Sequence, residues 1–127
     1  GADVFLMPSR YEPCGLNQLY SLRYGTVPVV RATGGLADTV REFDPITREG
    51  NGFVFENFSG DEMVIALRRA LATHGEPELW RTVQRNGMAR DSSWSVAAEG
   101  YDRLYAEALE RVANGRVPTL ANVQDSF

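Results

Sequence analysis

A carboxylate and a glycine lie close together in one short loop, and the pair suits a phosphorylated sugar. Glu12 can accept hydrogen bonds from hydroxyl groups, and Gly15 stands where the chain enters a segment with helical spacing. Free amides at such a helix start, around Gly15, Leu16 and Asn17, form a natural seat for phosphate, and glycine lets a ligand approach the backbone. The loop therefore predicts a site for a sugar linked to a diphosphate.

These residues also have ordinary structural interpretations, and for Glu12 the spacing leaves both open. An acid just before a helix interacts favourably with the helix dipole without binding any ligand. Cys14 has no histidine near it in sequence, so a small residue opening the helix is favoured over a nucleophile. His74 is expected in a surface loop, and Trp94 and Tyr101 are expected to pack rather than to form a sugar-stacking platform.

A second glycine-containing segment follows the next strand-like run. Thr33, Gly34 and Gly35 form either a tight strand-to-helix turn or a second backbone cradle on the same sheet edge. Arg10 and Arg31 each come just after a strand. Either could approach an anionic ligand, and either could equally be a solvated surface residue or an ion-pair partner.

Composition narrows the class of protein. The chain of 127 residues has room for one ordinary domain, and 43% hydrophobic with 24% charged residues is typical of globular proteins. A net charge of -4 argues against a general nucleic-acid or anionic-membrane binder, and no apolar run reaches membrane-spanning length. One cysteine excludes an internal disulfide framework and fits a reducing, cytoplasmic location, and one histidine argues against zinc. We expect no cofactor and no metal.

Strand-like and helical segments alternate along the chain. Short apolar runs predict strands at residues 4–7, 27–30 and 52–55. Apolar residues at helical spacing predict helices at 16–24, 36–40, 59–71, 79–88 and 94–109. Ser59 followed by Glu62 predicts a capping box, in which each residue satisfies a free amide at the start of the third helix.

This alternation predicts an α/β fold with a parallel sheet and right-handed crossovers. Three strands are fewer than the roughly five or six of a complete doubly wound domain, so the chain is expected to form half of a larger domain. We expect that half domain to occupy residues 1–115, with a frayed tail at 116–127. The outer edge of the first strand is expected to be exposed, which invites self-association.

The same residues resemble a known family. The run at residues 8–20 resembles the signature of bacterial glycogen synthases and plant starch synthases, which are retaining glycosyltransferases that use ADP-glucose. The agreement continues through residues 23–30, 33–40, 52–53 and 93–94, and through Tyr101 and Tyr105. It therefore covers nearly all of the chain to about residue 110 and is far more specific than a lone glycine motif.

The resemblance implies the second half of the C-terminal, nucleotide-sugar domain of a two-domain GT-B enzyme, a Rossmann-like half domain followed by C-terminal helices. It implies that Glu12 hydrogen-bonds the donor glucose and acts in catalysis. It further implies a substrate-binding set that holds glucose and phosphate, comprising Cys14, Gly15, Leu16, Asn17, Thr33, Gly34 and Gly35. The implied partners are an ADP-glucose donor, an α-1,4-glucan acceptor and the N-terminal half of the enzyme, with no nucleic acid and no membrane.

Two departures bear on activity. Many related retaining transferases carry a second Glu eight residues after the first, and here that position is Tyr20, in keeping with the synthase subgroup. The paired Arg and Lys with which the family neutralises the leaving diphosphate have no match here, because the chain contains no Lys. We therefore expect this polypeptide alone to be inactive.

Two alternative functions remain open at this point. The chain could be a noncatalytic module that binds a nucleotide-sugar weakly, or part of a related retaining enzyme that uses UDP-glucose.

Overall fold

The computed structural model describes residues 1–114, so the tail expected at residues 116–127 lies outside the described residues. The described residues fall into two units, one of Gly1–Arg90 and a second that begins at Asp91. All three strands and the first four helices belong to the first unit. The candidate loops therefore all lie within one unit.

The sheet consists of three parallel strands in chain order. The strands are β1 (Val4–Met7), β2 (Val27–Arg31) and β3 (Phe53–Phe55), arranged β1-β2-β3. Val4 is opposite Val27, and Val29 is opposite Phe53. The expected α/β fold with a parallel sheet is confirmed, and each predicted strand lies within about one residue of its observed bounds.

Five helices complete the described chain. They are α1 (Asn17–Arg23), α2 (Gly35–Thr39), α3 (Gly60–His74), α4 (Pro77–Met88) and α5 (Trp94–Ala113). The element order confirms the predicted alternation of strand and helix up to α3.

The core has two parts, because the strands carry apolar side chains on both faces. Val29 of β2 belongs to a cluster that includes Phe53, Ala66 of α3 and Val83 of α4. The neighbouring Val30 belongs to a second cluster that includes Leu36 and Val40. Adjacent residues of one strand point to opposite faces, and helices cover the sheet on both of them. Because both faces are covered, apolar side chains occupy successive positions, and the strands appear in the sequence as unbroken apolar runs.

The two outer edges of the sheet differ. At the β3 edge, the Glu42 carboxylate accepts a hydrogen bond from the Val54 amide at 2.6 Å, and Arg69 Nη2 donates to the Val54 carbonyl at 2.7 Å. Glu42 and Arg69 also pair with each other, with Arg69 Nε 2.7 Å from Glu42 Oε1. The Glu42–Arg69 ion pair thus binds both the amide and the carbonyl of Val54. At the other edge, β1 pairs with β2 on one side and with no strand on the other within residues 1–114.

The start of α3 differs from the predicted capping box. Ser59 is the N-cap, and its side chain accepts a hydrogen bond from the Asp61 amide, as expected. Glu62 does not return to the Ser59 amide; its carboxylate instead accepts from the amides of Glu56 and Asn57 and from the Asn57 side chain. The Ser59 amide donates to the Asn57 carbonyl in a tight turn, so its hydrogen bond is formed without Glu62.

The second unit contains α5 as a single long helix. Its large apolar side chains are exposed, among them Trp94, Tyr101 and Leu109. The Tyr101 and Tyr105 rings lie near each other, with centroids 6.5 Å apart. The expectation that Trp94 is a packing residue is therefore not met within the described chain, since that side chain is 88% exposed.

Candidate functional site

Two loops meet at the carboxyl edge of the sheet through direct backbone contact. The first loop follows β1 and contains Glu12 and Cys14, and the second follows β2 and contains Gly34 and Gly35. The Gly35 amide donates to the Glu12 carbonyl at 3.0 Å. A Cβ on Gly34 would overlap the Glu12 carbonyl oxygen, and a Cβ on Gly35 would overlap that of Cys14. The structure therefore brings together the two segments that the sequence analysis selected, and glycine allows the approach.

Gly15 lies just before α1 in a backbone conformation that favours glycine. Its φ of 66° lies in the left-handed region, which disfavours residues with a Cβ. Within the described chain, no group accepts a hydrogen bond from the amides of Gly15, Leu16 or Asn17. Leu16 and Asn17 are exposed residues, whereas Gly15 is buried. Amides without a described partner are present at the start of α1, as the sequence predicted, and their binding of phosphate stays a prediction.

The Glu12 side chain is partly buried beside the same loop. The Ser9 hydroxyl donates to Glu12 Oε2 over 3.5 Å, and no described basic group forms an ion pair with the carboxylate. Most of the acceptor capacity of Glu12 is therefore free for the hydroxyl groups of a ligand. Thr33, which is partly buried, accepts a hydrogen bond from the Leu36 amide through its carbonyl and so forms part of the turn into α2.

Gln18 links the two loops and was not selected from the sequence. The side chain is fully buried, and its Nε2 donates to the carbonyls of Gly15 at 2.7 Å and Cys14 at 3.2 Å. The same nitrogen lies 3.2 Å from Thr39 Oγ1, in the last residue of α2. The glutamine stands inside the matched run at residues 8–20, but only the fold brings Thr39 to it.

Arg31 also connects loops at this edge, in a way that spacing could not predict. Its guanidinium donates to the carbonyls of Arg10 at 2.7 Å and Ser9 at 3.4 Å, and its Nε donates to the Glu56 carbonyl at 3.0 Å. It therefore ties the loop after β1 to the end of β3. The Arg10 and Arg31 guanidiniums lie 6.0 and 5.7 Å from the centre of the exposed Phe58 ring.

The structure places His74 apart from this edge. His74 ends α3 instead of lying in a loop, and its ring packs edge-on against Trp80 with centroids 4.9 Å apart. Because α3 starts after β3 and runs back along the sheet, His74 lies toward the opposite edge from Cys14. The exposed Cys14 thus has no histidine beside it, in agreement with the interpretation that it is not a nucleophile.

A surface depression of about 300 Å³ lies at the end of β3. Two of its charged side chains have partners, since Glu62 binds Asn57 and Arg69 binds Glu42. These contacts reduce the number of polar groups that it offers a ligand.

Neither a metal site nor a membrane-spanning helix is present within residues 1–114. They contain no group of three or more His, Cys, Asp or Glu side chains placed to hold a metal ion. Their helices include none with both the length and the apolar character needed to cross a bilayer.

Comparison with known proteins identifies relatives. Residues 1–87 match the family model described as glycosyl transferases group 1. The chain is 59% identical over 110 residues to a glycogen synthase of Koribacter versatilis and 54% identical over 112 residues to one of Fervidobacterium nodosum. These alignments cover 87% and 88% of this chain, but only 23% of each relative.

A solved structure shows the same fold. The catalytic domain of starch synthase IV from Arabidopsis thaliana, bound to ADP and acarbose, superimposes with a TM-score of 0.72 at 38% sequence identity. The match covers 86% of this chain and 23% of that one. The chain thus spans about a quarter of the length of the relatives it matches.

Proposed function

Because this chain belongs to the group 1 glycosyl transferases, we propose that it forms part of a glycogen or starch synthase. That enzyme would transfer glucose from ADP-glucose to the nonreducing end of an α-1,4-glucan, with retention at the anomeric carbon. Glycogen synthases at 59% and 54% identity and a starch synthase with the same fold support this proposal. The proposal concerns the longer enzyme, since the chain spans 23% of those relatives.

In this proposal, residues 1–115 belong to the C-terminal, nucleotide-sugar domain of a two-domain GT-B enzyme. Loops at the carboxyl ends of parallel strands are where open α/β sheets bind ligands. The candidate loops of this chain lie at that edge and would face the donor. The N-terminal half of the enzyme would cover the donor from the other side and bring the glucan.

Glu12 would orient the donor glucose by accepting hydrogen bonds from its hydroxyls. The amides of Gly15 and Leu16, with the backbone of Cys14 and the Asn17 side chain nearby, would hold the phosphate attached to that glucose. Thr33, Gly34 and Gly35 would complete the wall of the same pocket. These groups bind and orient, and orientation of reactants is itself a large contribution to catalysis.

The reaction would proceed without a protein nucleophile. Glucose would leave the diphosphate on the face that the acceptor hydroxyl attacks, while a phosphate oxygen takes the hydroxyl proton. The C–O bond to ADP breaks as the new glycosidic bond forms, and ADP departs with the proton. The paired Arg and Lys that meet the charge on the departing ADP in this family would have to lie elsewhere in the enzyme, because the pair has no match in this chain, which contains no Lys.

One observation carries the proposal: the hydrogen bond between the Gly35 amide and the Glu12 carbonyl joins two loops at a single edge. The first loop carries both the Glu12 carboxylate, which has free acceptor capacity, and backbone amides that have no described partner. A sugar and the phosphate attached to it need these two kinds of group side by side.

The test is substitution of Glu12 in the full-length enzyme. We expect Glu12→Ala to lower kcat about 100-fold or more, the usual size of a lost transition-state contact, with the fold retained. Glu49→Ala is the matched control, because Glu49 lies in an exposed loop before β3 and should leave kcat unchanged. Near-normal turnover of Glu12→Ala would remove Glu12 from the mechanism. Assays with ADP-glucose and UDP-glucose in parallel would identify the donor.

A second candidate function is a noncatalytic module that binds the nucleotide-sugar alone. The absence of a match for the paired Arg and Lys of the family favours it, since a leaving diphosphate requires compensating charge. Calorimetric titration of the full-length protein with ADP, beside a transfer assay on the same sample, distinguishes the two. Binding without turnover fits the module, and binding with turnover fits the synthase. Turnover by the 127-residue chain alone would contradict the expectation that this chain is inactive.

A further inference from the structure

Gln18 is a buried polar side chain at the centre of the two candidate loops. It has no exposed surface, and its Nε2 faces three oxygens, the carbonyls of Cys14 and Gly15 and the Thr39 hydroxyl. Its Oε1 is also buried and has no hydrogen-bond partner among the described residues. Burying an unpaired amide oxygen is costly, so the donors on Nε2 must offset that cost.

The hydrogen bonds of Gln18 continue into the second loop. The Thr39 hydroxyl, 3.2 Å from Gln18 Nε2, donates to the Gly35 carbonyl at 2.5 Å. The Gly35 amide in turn donates to the Glu12 carbonyl. Starting at Gly15, the hydrogen bonds therefore run through Gln18, Thr39 and Gly35 and return to the first loop at Glu12. We call this closed set the Gln18 relay.

We propose that Gln18 is a positioning residue. It holds the backbone of Gly15, and with it the loop that carries Glu12, in the arrangement that binds the donor. This inference rests on the proposed function of the same loops. Gln18 would not touch the donor; it would act through the two carbonyls that it holds and, by way of Thr39, through Gly35.

The chemistry of the relay explains why an amide stands at this position. Nε2 carries two hydrogens and faces three acceptor oxygens, two of carbonyls and one of the Thr39 hydroxyl. The hydroxyl can accept because its own hydrogen is donated to the Gly35 carbonyl. A carboxylate there would place oxygen against two carbonyl oxygens, and a leucine would leave both carbonyls without a donor. Both changes should let Gly15 and Gly35 separate.

A merely structural role predicts a different outcome, and Gln84 provides the control. Gln84 is partly buried, and its Nε2 donates at 2.7 Å to the carbonyl of Gly25, which precedes β2 at the opposite edge of the sheet. Gln84→Leu removes the same type of side chain and the same type of hydrogen bond. It should lower stability without reaching the donor loops.

The experiment compares Gln18→Leu, Gln18→Glu and Gln84→Leu in the full-length enzyme. We expect Gln18→Leu to raise the KM for ADP-glucose and the Kd for ADP about tenfold with a smaller effect on kcat, the pattern of lost ground-state binding. Gln18→Glu should have a larger effect in the same direction. Gln84→Leu should leave KM and Kd within about twofold of the unsubstituted enzyme, whatever its melting temperature.

Two further measurements make the test independent of folding. Hydrogen exchange at the Gly35 amide should become faster in Gln18→Leu and stay unchanged in Gln84→Leu. Thr39→Val should raise KM, and its effect should not add to that of Gln18→Leu, because both residues act through one relay.

Two results would overturn the proposal and are easily told apart. In an active enzyme, unchanged KM and unchanged Gly35 exchange in Gln18→Leu would reject the positioning role alone. If the unsubstituted enzyme neither binds ADP nor transfers glucose from ADP-glucose, the proposed function fails, and the positioning role fails with it.

Discussion

Gly35 lies against the main chain of Cys14 so closely that no side chain fits between them. A Cβ on Gly35 would overlap the Cys14 carbonyl oxygen, while the Gly35 amide already donates to the carbonyl of Glu12. The obstacle is backbone, which cannot rotate away as a side chain could. The approach of the two candidate loops therefore depends on a glycine at this position.

Gly35→Ala should separate the two loops. We expect about 2 kcal/mol of lost stability, the usual cost of an overpacked site, and at least about tenfold weaker ADP binding by the full-length enzyme. Gly60→Ala is the control, since nothing lies within 4 Å of a Cβ added there. Denaturant unfolding and calorimetry would measure both quantities. Full ADP affinity in Gly35→Ala would show that the close approach is not needed for binding.

The Arg69–Glu42 pair should matter more than an ordinary surface ion pair, because it occupies the backbone groups of Val54. Both side chains are 41% exposed, so we expect Arg69→Met to cost only about 1 kcal/mol of unfolding free energy. Arg81→Met, which breaks the more exposed pair between Arg81 and Glu78, should cost less than about 0.5 kcal/mol. Equal losses in urea titrations would contradict a special role for the β3 edge.

Glu62 should contribute a pH-dependent component to stability. Hydrogen bonds from the Asn57 side chain and amide hold the pKa of the Glu62 carboxyl below its ordinary value. Since the folded pKa is the lower one, the stabilisation is complete above the unfolded pKa and is lost as pH falls through the folded pKa. Glu62→Gln should lower stability at pH 7 and flatten the acid side of the stability curve.

Asp61→Asn is the control for Glu62, because Asp61 lies in the same first turn of α3 and no described group donates to its carboxylate. Urea titrations from pH 3 to pH 7 would compare the two variants with the unsubstituted chain. If Glu62→Gln retains the acid dependence of the unsubstituted chain, another carboxyl group is responsible.

One edge of β1 pairs with no strand among residues 1–114, and this edge should allow self-association of the 127-residue chain. Leu6 is 38% exposed on this edge strand, and unpaired edge strands are sites of intermolecular pairing. We expect sedimentation velocity to show concentration-dependent association that Leu6→Lys reduces. Leu71→Lys adds the same charge at an exposed position on α3 and should leave association unchanged. A monomer at all concentrations would contradict this prediction.

Much of the fold was predictable because its signals are local. Apolar runs such as that of β2 and the helical spacing of α3 depend on residues within one element, and their predicted bounds agree closely with the structure. The Ser59 cap is also local and was predicted correctly. The partners of Glu62 were predicted wrongly, because a turn before the helix satisfied the Ser59 amide first.

The candidate loops were predictable, but the contacts that join them were not. The Gly35 amide and the Glu12 carbonyl, and likewise Gln18 and Thr39, are more than 20 residues apart in sequence. Arg31 was expected to approach an anion, to be a solvated surface residue or to form an ion pair, and the structure shows it bonded to loop carbonyls. Such contacts depend on how strands align, and spacing within one loop carries no information about that.

The chain-order arrangement of the sheet has a consequence for how the first unit folds. Each strand pairs with the next one in sequence. Every pairing step therefore closes a loop of modest length, and the entropic cost of loop closure stays small. Parallel sheets usually fold slowly because their contacts are remote in sequence. Here β2 could serve as a nucleus from which pairing spreads in both directions, and the loops that carry Glu12 and Gly35 would take shape at the same step as the first strand pair.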